Sequence, residues 1–146
     1  MKKVSDKLSI APQVIADDIS HAAANGFAAI INNRPDNEEA GQPSAGENRM
    51  VAEREGLCYS HIPVVPGQVK EWQVRAFQKA LAEARGPVLA HCKTGARSTT
   101  LYVIGEVLDG RMSKEEVALL GQRLGFDLSG VVKWLDAHGH QSVQQP

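Results

Sequence analysis

One short segment constrains the fold of this chain more than any other. Residues 88–90 are apolar and typical of a buried strand, and they lead directly into the glycine-containing segment 91–98, His-Cys-Lys-Thr-Gly-Ala-Arg-Ser. Residues 99–108 are apolar nearly all round, which predicts a buried helix. A strand, a tight loop and a central helix in succession are typical of parallel α/β sheets, whose ligands bind beyond the carboxyl ends of the strands.

The rest of the chain repeats this order of strand and helix. Strands are predicted over residues 8–10, 27–31, 57–65 and 88–91. Helices are predicted over residues 14–25, 47–55, 68–85, 99–108, 113–124 and 129–138. We therefore expect an α/β fold with a mostly parallel central sheet of about four to five strands and helices on both faces. Residues 1–140 are expected to form one domain, and residues 141–146 a flexible tail.

The composition limits the classes of partner. The 146 residues carry 16 Lys and Arg against 17 Asp and Glu, and no basic cluster is longer than a pair. Nucleic acid and anionic membranes are therefore poor partners. No apolar run reaches the ~18 residues of a membrane span, and Ser5, Asp6 and Lys7 interrupt any signal-peptide core. We therefore expect a cytoplasmic protein. We also expect no cofactor, and no metal in particular, because His138 and His140 near the end lack a third ligand.

The loop after residue 91 combines a nucleophile with an anion pocket. The start of the following helix has N–H groups without intrahelical partners and the positive end of the helix dipole, which together bind an oxyanion. Arg97 lies in the first turn, where its planar guanidinium can hold two oxygens of one anion. Thiols at a helix N-terminus beside an arginine are commonly ionised at neutral pH, with pKa values of ~3.5–7.5. We therefore expect Cys92 to be the reactive group.

Neighbouring residues have supporting roles in this hypothesis. His91 is expected to orient the loop through hydrogen bonds from its ring to backbone carbonyls, and Ser98 to donate a hydrogen bond to the sulfur. Cys58 is expected to be buried in its strand, or alternatively to act as a resolving thiol for Cys92. The residues expected to contact the anion or the molecule that carries it are Lys93, Thr94, Gly95, Ala96 and Arg97.

The pattern His-Cys-x-x-Gly-x-Arg-Ser after a buried strand resembles the signature loop of the cysteine-dependent protein tyrosine and dual-specificity phosphatases. Those enzymes place five residues between the cysteine and the arginine, whereas this chain places four. With the segments 31–36 and 59–64, the shorter loop is similar to the beta-lactamase-hydrolase-like protein phosphatase-like family, over roughly residues 5 to 125. The resemblance implies a phosphotyrosine-phosphatase-like fold, a phosphocysteine on Cys92 and a phosphate clamp at Arg97. It also implies a phosphorylated protein or small aryl phosphate as substrate.

One residue of the phosphatase pattern is missing. Those enzymes protonate the leaving oxygen with an aspartate after the third strand, but residues 57–91 contain no Asp, and Pro66-Gly67-Gln68 stands at that place. Asp36 is a candidate acid from another loop, with an exposed turn residue as the alternative reading. Because loss of a general acid costs ~10²–10⁴-fold, we expect weak activity biased towards aryl phosphates, whose leaving phenol needs less protonation.

Two other functions remain open from the sequence. A cysteine and an arginine separated by four residues are also the loop length of rhodanese sulfurtransferases, which carry a persulfide on the cysteine. The two helices predicted after residue 108 argue against a rhodanese fold, although fold does not fix function. The third hypothesis is an anion-binding module without turnover, which would recruit a phosphorylated or sulfated partner.

Overall fold

The computed structural model describes residues 1–139 as an α/β fold. The strands are β1 (Lys2–Lys3), β2 (Leu8–Ala11), β3 (Ala29–Asn32), β4 (Cys58–His61) and β5 (Val88–His91). The helices are α1 (Ala16–Ala24), α2 (Ala45–Arg54), α3 (Glu71–Glu83), α4 (Ala96–Leu108), α5 (Lys114–Leu124) and α6 (Ser129–Ala137). The sheet order is β1-β2-β5-β3-β4, with β1 antiparallel to β2 and the other pairs parallel. The predicted fold class is confirmed.

Helices cover both faces of the sheet because successive strand residues point to opposite sides. Ile30 and Leu89 pack with residues of α1 and α2, among them Ile19. Their chain neighbours Ile31 and Ala90 belong to the other core cluster, together with apolar residues of α3, α4, α5 and α6. The central strand β5 is therefore buried on both sides, which explains its continuous apolar sequence.

The differences from the predicted elements have local causes. The edge strand β1 was not predicted, since two lysines carry no strand pattern. Arg123 on α5 donates hydrogen bonds to the carbonyls of Lys3 and Val4, at 3.1 and 3.2 Å, so distant contacts hold this segment in place. The strand predicted over 57–65 is limited to β4, in keeping with prolines at 63 and 66, which have no N–H to donate.

Ser44 starts α2 earlier than predicted. Its hydroxyl accepts a hydrogen bond from the Glu47 N–H at 3.0 Å, and its own N–H donates to the Glu47 carboxylate at 2.9 Å. This reciprocal pair is a capping box, which satisfies two N–H groups at the helix start. The helix therefore begins at Ala45 and not at residue 47.

Cys58 is exposed, so the prediction of a buried cysteine is wrong. It is the first residue of β4, which lies at the edge of the sheet and pairs with only one strand, β3. Cys58 pairs with Ala29 of β3, and Ala29 also pairs with Val88 of β5. Val88 precedes Cys92 by four residues in the chain. A rise of ~3.3 Å per residue and two strand spacings of ~4.8 Å place the two cysteine Cα atoms roughly 16 Å apart. Disulfides need ~4.4–6.8 Å, so the resolving role is also wrong.

The structure does not describe the last residues of the chain. The tail predicted over residues 141–146 lies outside the described residues, as does His140.

Within residues 1–139, no helix combines the length and the apolar character needed to cross a bilayer. In the same residues, no three His, Cys, Asp or Glu side chains are grouped as metal ligands would be.

Candidate active site

The central strand β5 delivers Cys92 to the carboxyl edge of the sheet. β5 lies between β2 and β3, and it ends at His91, one residue before the cysteine. The Cys92 side chain is buried, with 1% of the residue exposed. The Gly95 N–H donates a hydrogen bond to its Sγ at 3.0 Å. The sulfur therefore lies inside the loop and accepts a hydrogen bond from a backbone amide.

Only glycine fits at position 95. Its φ is +103°, in the left-handed region that residues with a Cβ rarely adopt. A Cβ there would also come within 3.2 Å of the Phe126 ring and 3.5 Å of the Ala11 carbonyl oxygen. The tight turn lets α4 begin at Ala96, directly after the loop.

The loop keeps several backbone donors free for a ligand. The Ala96 N–H donates to the Thr94 hydroxyl at 3.2 Å, and that of Gly95 donates to the sulfur, so these two amides are occupied. In the part of the chain that the structure describes, no hydrogen bond uses the N–H groups of Lys93, Thr94, Arg97 and Ser98. Free N–H groups at a helix start form an anion-binding site. The free donors thus differ from the predicted set, because the N–H groups of Gly95 and Ala96 bind within the loop, and α4 begins at Ala96 and not at the predicted residue 99.

Arg97 is held by a carboxylate that was not predicted from the sequence. Its NH1 and NH2 groups donate to Oε2 and Oε1 of Glu38 at 2.8 and 2.9 Å, and NH1 also donates to the Val64 carbonyl at 2.8 Å. Nε makes no hydrogen bond to a described residue. A guanidinium has five N–H donors, so the edge formed by Nε and NH2 keeps two of them. Glu38 therefore fixes the side chain while leaving a bidentate edge for an anion.

The same carboxylate contacts a second, buried arginine. The Arg34 side chain is 1% exposed, and its Nε donates to Glu38 Oε1 at 2.7 Å. Its other nitrogens donate to Glu39 and Gln13, both at 3.1 Å. Hydrogen bonds from Arg97 and then Arg34 outweigh the effect of burial and lower the pKa of Glu38 to about 2. Glu38 is therefore ionised throughout the neutral range.

The Ser98 hydroxyl does not reach the sulfur. It donates to Asn33 Oδ1 at 2.7 Å, and Asn33 in turn donates through Nδ2 to the Ile62 carbonyl at 3.0 Å. The Asn33 N–H donates to the His91 carbonyl at 2.8 Å. Asn33, whose side chain is completely buried, thus ties the first turn of α4 to β5 and to the segment after β4. The predicted Ser98–Cys92 hydrogen bond is wrong because Asn33 takes that donor.

His91 supports the loop by packing and not through hydrogen bonds of its ring. The side chain is completely buried, and neither ring nitrogen has a hydrogen-bond partner among the described residues. The predicted bonds from the ring to backbone carbonyls are therefore wrong. Burial lowers the pKa of His91 to about 4, so the ring is neutral at neutral pH.

Asp36 serves the neighbouring helix. Its Oδ1 accepts a hydrogen bond from the Ala45 N–H at 2.8 Å, at the first residue of α2. A carboxylate at that position caps a helix start and interacts favourably with its dipole. The structure therefore gives Asp36 a contact with α2, and Glu38 is the carboxylate that reaches Arg97. Asp36 as a substitute acid finds no support in this geometry.

Lys93 and Thr94 are on the surface of the loop. Both residues are exposed, and the Lys93 ammonium lies 3.9 Å from a Glu39 carboxylate oxygen. The Lys93 carbonyl accepts a hydrogen bond from the Gln13 N–H at 3.2 Å, which fixes the loop against the segment after β2. The two side chains are therefore positioned to contact a molecule that enters the loop.

Comparison with known proteins identifies the family. The family described as "Beta-lactamase hydrolase-like protein, phosphatase-like domain" matches residues 1–109. A beta-lactamase hydrolase-like protein of Agrobacterium fabrum is 44% identical over 92% of this chain and 31% of its own length. One from Xylella fastidiosa is 41% identical over 98% of this chain and 32% of its own length. The chain thus spans about a third of the length of these relatives.

Solved structures show the same fold. The crystal structure of nma1982 from Neisseria meningitidis, described as a candidate phosphatase, is 31% identical and has a TM-score of 0.82. The alignment covers 93% of this chain and 96% of that one. Tk-PTP in its active form is 19% identical with a TM-score of 0.69, over 93% and 95% of the two chains, which shows the fold alone. On the family match and on these relatives, the chain belongs to the beta-lactamase hydrolase-like protein phosphatase-like domain family.

Proposed function

We propose that the protein is a cysteine-dependent phosphatase that hydrolyses phosphate monoesters, aryl esters above all, through a phosphocysteine intermediate. The observation that carries the proposal is the buried Cys92 sulfur, 3.0 Å from the Gly95 N–H, inside a loop with free backbone donors. The Nε and NH2 edge of Arg97 would bind two oxygens of the phosphoryl group. The phosphatase-like family and the structural neighbours support the same chemistry.

The reaction then takes two displacements. The thiolate of Cys92 attacks phosphorus, an S–P bond forms, and the P–O bond to the leaving group breaks with its electron pair on oxygen. That oxygen takes a proton from water, which leaves a hydroxide ion. A second water then attacks phosphorus and breaks the S–P bond, which returns the thiolate and releases dihydrogen phosphate, and the hydroxide ion takes one proton from this product. The loop N–H groups and Arg97 would stabilise the negative charge on the equatorial oxygens in both steps.

The carboxylates near the loop favour aryl substrates. Glu38, with its pKa lowered to about 2, carries no proton to donate at neutral pH, and Asp36 caps α2. Neither of these two carboxylates would therefore protonate the leaving oxygen. Phenols, with a pKa of about 10, leave more readily than aliphatic alcohols under these conditions.

A series of aryl phosphates with leaving phenols of graded pKa tests this proposal. We expect kcat/KM to fall steeply as the phenol pKa rises, because no acid neutralises the developing charge. Phosphoserine is expected to react at least about 100-fold more slowly than phenyl phosphate. A nearly flat dependence on phenol pKa, or faster turnover of phosphoserine, would contradict the unassisted mechanism.

Two parallel measurements separate the competing functions. A rhodanese-like activity would transfer sulfur from thiosulfate to cyanide, and mass spectrometry of the trapped cysteine would then show an added sulfur. The proposed phosphatase carries a phosphoryl group at the same atom. An anion-binding module would bind inorganic phosphate and turn over neither substrate.

Glu38 is expected to act as a positioning residue for Arg97. Glu38→Gln keeps the size of the side chain but removes the charge that binds NH1 and NH2, so the guanidinium is held less firmly, with the Val64 carbonyl as its remaining charge-independent partner. Because small misplacements at a reacting centre cost up to ~10²-fold, we expect kcat/KM to fall by about 10- to 100-fold.

Glu39→Gln is the matched control for this change. Glu39 pairs with Arg34 and Lys93 and forms neither an ion pair nor a hydrogen bond with Arg97, and its side chain is 53% exposed. We expect the Glu39 variant to change kcat/KM less than about threefold, because Arg97 keeps its hydrogen bonds to Glu38 and the Val64 carbonyl, and Arg34 keeps those to Glu38 and Gln13. If Glu38→Gln instead bound inorganic phosphate more tightly and reacted faster, the carboxylate would be a competitor of the substrate.

A further inference from the structure

A groove lies directly beside the proposed phosphate clamp. It has a volume of about 490 Å³ and separates the first turn of α4 from the segment after β4 and from α6. This volume lies within the ~300–1,000 Å³ typical of ligand sites. The residues on which the argument depends are Pro66, Val69, Arg97, Gly130, Lys133 and Trp134. Arg97 therefore contributes both to the proposed anion site and to the wall of the groove.

The wall on the α6 side is held in place. The indole N–H of Trp134 donates to the Val69 carbonyl at 2.7 Å, which joins α6 to the segment after β4. The Trp134 ring also stacks on the His138 ring, with centroids 3.8 Å apart. An aromatic surface fixed in this way needs little reordering when an apolar group binds against it.

The charges of the groove favour an anionic aromatic ligand. Arg97 and Lys133 both contribute to the lining, and none of the described lining residues is Asp or Glu. The remaining lining is mostly apolar or aromatic. A molecule that carries a phosphate at one end and an aromatic body beside it would match this arrangement.

We propose that the groove is the subsite for the leaving group of the phosphate ester, and that it selects aryl groups larger than a single ring. The proposal rests on the proposed phosphatase function, because it places the phosphate of the same molecule at Arg97. The second ring lies against Trp134 and Val69, and a negative substituent on that ring meets Lys133. Burying roughly 60 Å² of additional apolar surface at about 25 cal/mol per Å² corresponds to a gain of about tenfold in kcat/KM.

The test compares 2-naphthyl phosphate with phenyl phosphate on the same set of variants. Gly130→Phe fills the groove, since a Cβ at Gly130 meets no atom within 4 Å. We expect it to lower the naphthyl-to-phenyl ratio of kcat/KM by about tenfold. Gly46→Phe on α2 adds the same side chain outside the groove, where the nearest atom to the new Cβ is 3.9 Å away, and it should keep the wild-type ratio. Comparing both substrates on each variant cancels their difference in intrinsic reactivity.

A second variant tests the charge without filling the groove. Lys133 is exposed, so Lys133→Glu is compatible with the fold. The expected effect is on a naphthyl phosphate that carries a carboxylate on its second ring. Its kcat/KM should fall by roughly fivefold relative to that of unsubstituted naphthyl phosphate. This ratio corresponds to about 1 kcal/mol of charge interaction. Unchanged ratios in both the Gly130 and Lys133 variants would overturn the subsite.

Binding separates this outcome from a failure of the proposed function. With turnover blocked by Cys92→Ser, calorimetry should show about tenfold tighter binding of 2-naphthyl phosphate than of phenyl phosphate, and Gly130→Phe in that background should remove the difference. If no ester is hydrolysed but this preference persists, the phosphatase proposal fails and the subsite stands. If esters are hydrolysed but both phosphates bind equally, the subsite is wrong.

Discussion

Cys92→Ser is expected to abolish hydrolysis of aryl phosphates while the protein stays folded and still binds inorganic phosphate. A serine hydroxyl is a poor nucleophile unless a base activates it, and the buried ring of His91 makes no hydrogen bond to any residue of the range 1–139. Loss of a catalytic nucleophile typically costs up to ~10⁶-fold in kcat, so we expect a decrease of at least about 10³-fold. The measurement is kcat with 4-nitrophenyl phosphate.

The loop itself should survive this change. The serine oxygen can accept the hydrogen bond that the Gly95 N–H now donates to the sulfur, and the smaller side chain fits the buried position. Calorimetry with inorganic phosphate should therefore report binding close to that of the wild type. Cys58→Ser is the matched control, because Cys58 is exposed and lies far along the sheet from the loop. A Cys92 variant with a tenth or more of wild-type activity would rule out the covalent mechanism.

Among the proposed substitutions, Arg34→Met is expected to lower the free energy of unfolding the most. The side chain is 1% exposed and donates hydrogen bonds to Glu38, Glu39 and Gln13, and all three of these bonds would be lost. Breaking a fully buried ion pair costs about 3–5 kcal/mol. Because the two carboxylates remain partly exposed, at 23% and 53%, we expect a decrease of about 2–3 kcal/mol in the free energy of unfolding, measured in urea.

Arg75→Met gives the comparison for this variant. Arg75 forms an ion pair with Asp109 at 2.9 Å, but its side chain is 43% exposed. Surface pairs of this kind contribute less than about 1 kcal/mol, so the Arg75 variant should differ little from the wild type. If both variants lost the same free energy of unfolding, the burial of Arg34 would not determine how much it contributes to stability.

The fold was largely predictable because its signals are local. Buried parallel strands have continuous apolar sequences, and the strand at 88–91 was predicted with the bounds that the structure shows. The edge strand β1 was not, because contacts from Arg123 on α5 hold it and no strand pattern marks it. Cys58 was placed in the correct strand, but whether a strand lies at the edge depends on the order of strands in the sheet.

The site was predictable only where chain neighbours form it. Cys92, Gly95 and Arg97 lie within six residues, so the loop could be recognised from sequence. The contacts from residues 33–38 could not, because the partners are separated by about sixty residues in the chain. Asp36 was considered as a substitute acid from another loop, whereas Glu38 was not considered from the sequence. The Asp36 side chain is instead needed at the start of α2. Polar residues clustered after a buried strand were the signal available for Asn33 and Glu38.

Glu38 joins the proposed phosphate clamp to the interior of the protein. One carboxylate binds Arg97 in the first turn of α4 and the buried Arg34. A substitution that alters any of the three changes the environment of the other two. During evolution, a substitution at one of these positions is therefore expected to require substitutions at the others. An alignment of relatives should show that positions 34, 38 and 97 covary as a set.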